Sequence, residues 1–191
     1  LGSVSLNGLV NNLNDGVVWG LLPMLLIQRG FGITQIGIIA AIYPAVWGIS
    51  QLFTGKMGDN YCKKQIITIG MLLQALAILM VAIASALPLL ILASVFLGFG
   101  TALVYPNFLS VIAEGTHPEQ RAESLSIFRL WRDSGYVFGA LLSGVLADAF
   151  GITYALFIAA GITAIAGLIA NKRMCCTTKV FWQSEYCVPA Y

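Results

Sequence analysis

The sequence predicts an all-α membrane protein of six transmembrane helices, and three observations carry that prediction. Of its 191 residues, 59% are apolar and 9% are charged, whereas soluble domains carry about 25% charged residues. The charges cluster between apolar runs roughly 20 residues long, enough to cross about 30 Å of hydrocarbon at 1.5 Å per residue. Lys and Arg also gather at alternate connections, as membrane topology requires. A soluble fold of this size would lack the charge to cover its surface. Soluble enzyme, nucleic-acid binder and disordered chain are excluded, and a net charge of +2 is too small to indicate an electrostatic partner.

The first span covers residues 6–28 and opens with Asn7, Asn11, Asn12, Asn14 and Asp15 before turning wholly apolar. At 100° per residue, Asn7, Asn11, Asn14 and Asp15 share a sector of about 100°. Such a stripe should avoid lipid, because an unpaired charge there costs at least about 2.5 kcal/mol. Two readings follow. In one, Asp15 carries a coupling proton and the asparagines bind substrate; in the other, the stripe is a hydrated cytoplasmic helix end. Arg29-Gly30-Phe31-Gly32 separates this span from the second, residues 35–54.

The connection over residues 55–64 reads Gly55-Lys56-Met57-Gly58-Asp59-Asn60-Tyr61-Cys62-Lys63-Lys64. Gly55 and Gly58 permit close helix approach. Asp59 can pair with nearby cations or with the positive N-terminal end of a neighbouring helix. If that neighbour moves, the contact becomes a latch. The plain alternative is a basic loop with an incidental Asp. Spans at 65–86 and 88–113 follow, joined so briefly at Leu87-Pro88 that they must be antiparallel neighbours.

Residues 114–123 lead into the fifth span, 124–147, where Pro118 suits a helix start and Glu119 and Glu123 suit the first turns. This span carries Arg129, Arg132, Asp133 and Tyr136 on one stripe. The i,i+4 spacing of Arg129 and Asp133 allows a pair along one face, leaving Arg132 with a spare charge. An uncompensated Arg beside a cavity would bind an anionic substrate or a moving carboxylate. A closed interhelical network at the cytoplasmic gate is the competing reading. Gly135-xxx-Gly139 and Gly16-xxx-Gly20 offer close-packing faces. The sixth span is 152–170, and residues 174–191 form a tail.

Lys56, Lys63, Lys64, Arg121, Lys172, Arg173 and Lys179 fall on one side of this alternating path and Arg29 on the other. The basic side is the cytoplasmic one by the positive-inside rule, with both termini there. Cys62, Cys175 and Cys176 then meet a reducing compartment, which argues against disulfides. Acylation of the Cys175-Cys176 pair or inert thiols are the alternatives. No metal cluster, nucleophilic triad or phosphate-cradling loop is present in the sequence, so no catalytic residue, metal or cofactor is expected.

The segment over residues 55–64 resembles the signature between the second and third spans of a six-helix half of the major facilitator superfamily. Gly55, Gly58, Asp59, Lys63 and Lys64 match in register; Asn60 replaces a basic residue and Cys62 a glycine. Pro118-Glu119-Gln120-Arg121-Ala122 is similar to the family pattern opening the fifth helix of a half. The family's N-terminal halves often hold an Arg in the fourth span, where this chain has Leu97 and Gly98. That difference points to the C-terminal half, with a truncated N-terminal half as the alternative.

The resemblance implies half of a secondary transporter working by alternating access, driven by an ion gradient, with protons the expected ion. It makes Asp15 the protonation candidate, with Asn11, Asn14 and Tyr136 as substrate contacts. Arg129, Arg132 and Asp133 would form a charge network near the cytoplasmic gate. Gly55, Gly58, Asp59, Lys63, Lys64 and Arg121 would form the gating motif. Its partners would be a small-molecule solute, the lipid bilayer, and a missing N-terminal half or a second copy. A bacterial inner membrane is the expected location. The rival readings are a six-span assembly factor or receptor, and a channel.

Overall fold

The chain turns where its glycines and short polar segments permit. Six α-helices run between those turns in the computed structural model, which describes residues 2–176. They are α1 Gly2–Gln28, α2 Ile33–Asn60, α3 Lys63–Ile83, α4 Leu87–Glu114, α5 Arg121–Phe150 and α6 Ile152–Arg173. A 3-10 turn over Pro118–Gln120 leads into α5. Gly30 (φ 80°) and Gly151 (φ 88°) hold the left-handed backbone at two reversals, a conformation that a Cβ would disfavour. Four helices, α2, α3, α4 and α6, are long and apolar enough to cross a membrane. α1 and α5 match them in length, at 27 and 30 residues. Their Asn, Asp and Arg residues hold their apolarity below the same standard.

Two sequence expectations about boundaries are corrected. Residues 55–64 do not form a loop: α2 continues through Asn60, and Tyr61 and Cys62 alone separate it from α3. The helical ladder persists to its last turn, where Tyr61 N–H donates to Met57 O at 2.9 Å. In addition, α1 begins at Gly2 and α5 at Arg121, each a few residues earlier than expected. Asp15 therefore lies about 20 Å along α1 at 1.5 Å per residue, near its midpoint. Arg132 and Asp133 likewise fall near the middle of α5 rather than at a cytoplasmic end.

Packing pairs α1 with α5 and α6, α3 with α4 and α6, and α2 with α4. Glycine makes the closest of these approaches possible. A Cβ on Gly135 would stand 2.2 Å from Leu9 O, and one on Gly139 would stand 2.4 Å from Leu13 O. The backbones of α1 and α5 thus touch along the expected small-residue face, where close packing substitutes for the hydrophobic drive that lipid cannot supply.

Buried apolar side chains form two clusters. One joins Leu21, Leu25, Ile78, Val81, Leu90 and Leu156 near one end of the bundle. The other joins Val4, Ile67, Met71, Phe108, Phe128 and Ala166 near the opposite end. Between them the same helices present Asn11, Asn14, Asp15, Gln74, Thr101 and Thr163, all buried. A polar layer thus crosses the bundle at mid-height.

Cys62 and Cys176 are joined by a disulfide with Cα atoms 5.3 Å apart. This corrects the expectation of unpaired thiols at that end. The side-by-side packing of α3 and α6 brings the start of one helix to the end of the other, whatever the compartment. Lys179 and Cys187, with most of the expected tail, lie outside the described residues.

Candidate functional site

The polar layer opens into a cavity of about 90 Å³ lined by Asn11, Asn12, Asp15, Trp47, Thr101, Tyr105, Arg132 and Tyr136. Four helices supply the lining: α1 the carboxamides and the acid, α2 Trp47, α4 Thr101 and Tyr105, and α5 Arg132 and Tyr136. Trp47 and Tyr105 meet edge to face, with ring centroids 6.3 Å apart. The indole N–H of Trp47 is buried without a protein acceptor among the described residues. A ligand acceptor would relieve the cost of that unpaired donor.

Asp15 is the acid of this cavity and is 6% exposed. Its Oδ1 accepts a hydrogen bond from the Tyr43 hydroxyl, and its Oδ2 accepts one from the Tyr136 hydroxyl at 3.3 Å. Tyr43 also lies 3.4 Å from the Thr101 hydroxyl, which itself donates to Leu97 O at 3.0 Å. Tyr43 belongs to α2 and Tyr136 to α5, so one carboxylate ties both helices to α1. Trp19 packs edge-on against Tyr43 at 6.0 Å.

Arg132 stands 4.8 Å over the ring of Tyr105. Its Nε and terminal amine donate to Asp133 Oδ1 at 2.9 and 2.7 Å, and Asn12 donates to the same oxygen at 3.2 Å. The expected Arg129–Asp133 pair is therefore replaced by Arg132–Asp133. The long guanidinium side chain folds back along the helix to its neighbour's carboxylate, and the aromatic face of Tyr105 holds it there. Arg132 consequently has no spare charge, which removes the reason given above for an anionic substrate. Arg129 is exposed and outside the cavity.

The other expected site residues divide. Asn11, Asp15, Arg132 and Tyr136 line the cavity, and Asp133 supports Arg132 from behind. Asn14 turns away, donating to Gln74 Oε1 at 3.1 Å and accepting from Thr163 at 2.6 Å. Of the signature residues, Gly58 packs on α4, where a Cβ would stand 2.2 Å from Asn107 Oδ1. Lys63 pairs with Glu114 at 2.9 Å, linking the start of α3 to the end of α4. Gly55, Asp59 and Arg121 are exposed, and Lys64 is half-buried. Tyr43 and Thr163 carried no sequence signal of their own. Tyr43 does stand four residues before Trp47, the spacing that puts both on one helix face.

Comparison with known proteins places this geometry. A sequence profile described as Major Facilitator Superfamily matches residues 4–173. The quinolone resistance protein NorA of Staphylococcus aureus (strain MRSA252) is 27% identical over 136 residues, covering 71% of this chain and 35% of that protein. The fosmidomycin resistance protein of Escherichia coli (strain K12) is 25% identical over 174 residues, 91% of this chain and 43% of the relative. The crystal structure of peptide transporter POT in complex with sulfate superposes with a TM-score of 0.79 at 18% identity, over 88% of this chain and 36% of that one. The chain thus spans well under half the length of these relatives.

Proposed function

The chain belongs to the Major Facilitator Superfamily, and from that premise we propose that it forms one six-span half of a proton-coupled secondary transporter for a small organic solute. It is an integral membrane protein of a transporter family. The observation that carries the finer reading is Asp15: a carboxylate at mid-helix, facing a cavity, bound by tyrosine hydroxyls from two other helices. An ionised carboxylate accepts strongly from both Tyr43 and Tyr136, whereas protonation turns one oxygen into a hydroxyl donor and weakens or reverses the bond there. Protonation of Asp15 thereby changes how α2 and α5 are tied to α1, and a bistable bundle converts that local change into altered access.

The complementary half would sit against α2 and α5. Those helices turn Leu52, Phe53, Val137, Phe138 and Leu141 outward, and the cavity is incomplete on that side, where Tyr136 is 42% exposed. With Arg132 neutralised by Asp133, the wall presents a carboxylate, aromatic rings and an unpaired indole N–H. A solute with an aromatic or apolar body and at least one acceptor fits that chemistry. All six helices would span a bacterial plasma membrane with both termini on the cytoplasmic side, where Asp59, Lys63 and Lys64 would help hold the cytoplasm-closed state.

Reconstituted into liposomes with its complementary half, the protein should move a quinolone, the solute class named for one relative, saturably. Dissipating the proton gradient should abolish accumulation. Conductance at channel rates, or no flux of any solute under a gradient, would contradict the reading.

A further inference from the structure

Gln74 lies on α3, outside the cavity lining, and is fully buried. Its Oε1 accepts from Asn14 Nδ2 at 3.1 Å and its Nε2 donates to Asn11 Oδ1 at 2.9 Å. Asn11 Nδ2 donates to Asn12 Oδ1 at 3.3 Å, and Asn12 Nδ2 donates to Asp133 Oδ1 at 3.2 Å. At the far end, Thr163 of α6 donates to Asn14 Oδ1 at 2.6 Å. A single file of four carboxamides therefore runs from α6 through α1 and α3 to α5. Gly100 makes room for it, since a Cβ there would stand 2.9 Å from Gln74 Cγ.

The direction of this file is fixed by its last member. An ionised carboxylate can accept but never donate, so Asn12 must present its NH₂ to Asp133. Asn12 then offers its oxygen to Asn11, Asn11 its oxygen to Gln74, Gln74 its oxygen to Asn14, and Asn14 its oxygen to Thr163. Each amide has one correct orientation, and hydrogen bonds aligned in series strengthen one another in a low-dielectric interior. We propose that Gln74 is a positioning residue for the transport site: it joins Asn14 to Asn11 and so carries through α3 the donor direction that Asp133 imposes on a carboxamide relay, which holds the Arg132–Asp133 pair against the cavity. This rests on the transporter reading above only for its consequence, not for its geometry.

The proposal makes a compensation test possible. Gln74→Glu, followed upward in pH until its buried carboxyl ionises, places an acceptor-only group mid-relay. Asn11 and Asn12 must then reverse, and Asn12 must turn its oxygen toward the Asp133 carboxylate. Asp133→Asn supplies an NH₂ at that end and accommodates the reversed file. Asp133→Leu removes the same charge but supplies no donor. Melting temperatures, or monodisperse yield where Gln74→Glu alone does not fold, are measured in the full-length protein for all single and double variants.

Recovery of Gln74→Glu by Asp133→Asn, beyond that given by Asp133→Leu, is the expected result. The recovery should be at least about 1 °C and up to roughly 10 °C for directly coupled neighbours in a chain of this size. Additive losses, or equal recovery by Asn and Leu, would overturn the relay. In parallel, Gln74→Leu should raise KM for quinolone flux more than it lowers kcat; equal loss in both, with normal folding, would also overturn it. If the unaltered protein shows no flux, the transporter reading fails while the melting series still decides the relay.

Discussion

The helix pair α1 and α5 differs from the other four in the way that matters most here. α2, α3, α4 and α6 meet the apolarity and length expected of a membrane span, and much of what they bury is aliphatic or aromatic. α1 and α5 fall short of that apolarity, yet they make the closest backbone contact in the bundle, through Gly135 and Gly139. They also supply Asn11, Asn12, Asp15, Arg132, Asp133 and Tyr136. The helices least suited to lipid by composition are those whose polar faces meet one another and the cavity. Low apolarity in a helix as long as its membrane-spanning neighbours thus marks the candidate site, because helices with a protein or water neighbour tolerate such residues.

Breaking the α1–α5 seam should have the largest effect on stability. Gly135→Leu would drive a side chain into the Leu9 and Leu13 backbone and should cost about 3 kcal/mol or more, a fall of roughly 10 °C in detergent melts. Gly144→Ala, on the same helix with nothing within 4 Å of its Cβ position, should leave Tm unchanged or slightly raised. Equal sensitivity at both positions would mean that the seam is not special.

A smaller effect sharpens the other side of the comparison. Among α3 and α4, the ion pair Lys63–Glu114 joins a side chain 6% exposed to one 55% exposed. Glu114→Gln strands a buried ammonium and should cost about 1–2 kcal/mol. Lys63→Gln leaves a carboxylate that water can reach and should cost less than about 1 kcal/mol. Thermal unfolding of the two variants side by side checks that asymmetry, and equal costs would argue against it.

Much of this was legible in the sequence, though unevenly. Six apolar or amphipathic segments, the packing glycines of α5, and the polar stripe containing Asn11 and Asp15 could all be read from spacing. Depth in the bundle could not. A span expected over 124–147 put Arg129, Arg132 and Asp133 in its first turns and made them look like a cytoplasmic end, whereas α5 runs from Arg121 to Phe150 and sets Arg132 and Asp133 near its middle. The pairing of Arg132 with Asp133 escaped the i,i+4 rule because it depends on Tyr105 and Asn12, contributed by α4 and α1. Tyr43 was invisible for a similar reason: a lone tyrosine in an apolar run gains its role only when folding sets it against Asp15. The Cys62–Cys176 bridge joins positions 114 residues apart in sequence, and an expectation based on compartment had no access to that proximity.

If Asp15 carries the coupling proton, accumulation against a gradient requires a titratable group at that position. Liposomes containing the full-length protein are given a proton gradient, and accumulation of solute is compared with downhill exchange in the absence of a gradient. Asp15→Asn keeps a side chain of nearly the same shape that can still meet Tyr43 and Tyr136 but cannot titrate. This variant should lose gradient-driven accumulation and retain exchange. Accumulation at the level of the unaltered protein would contradict that role for Asp15.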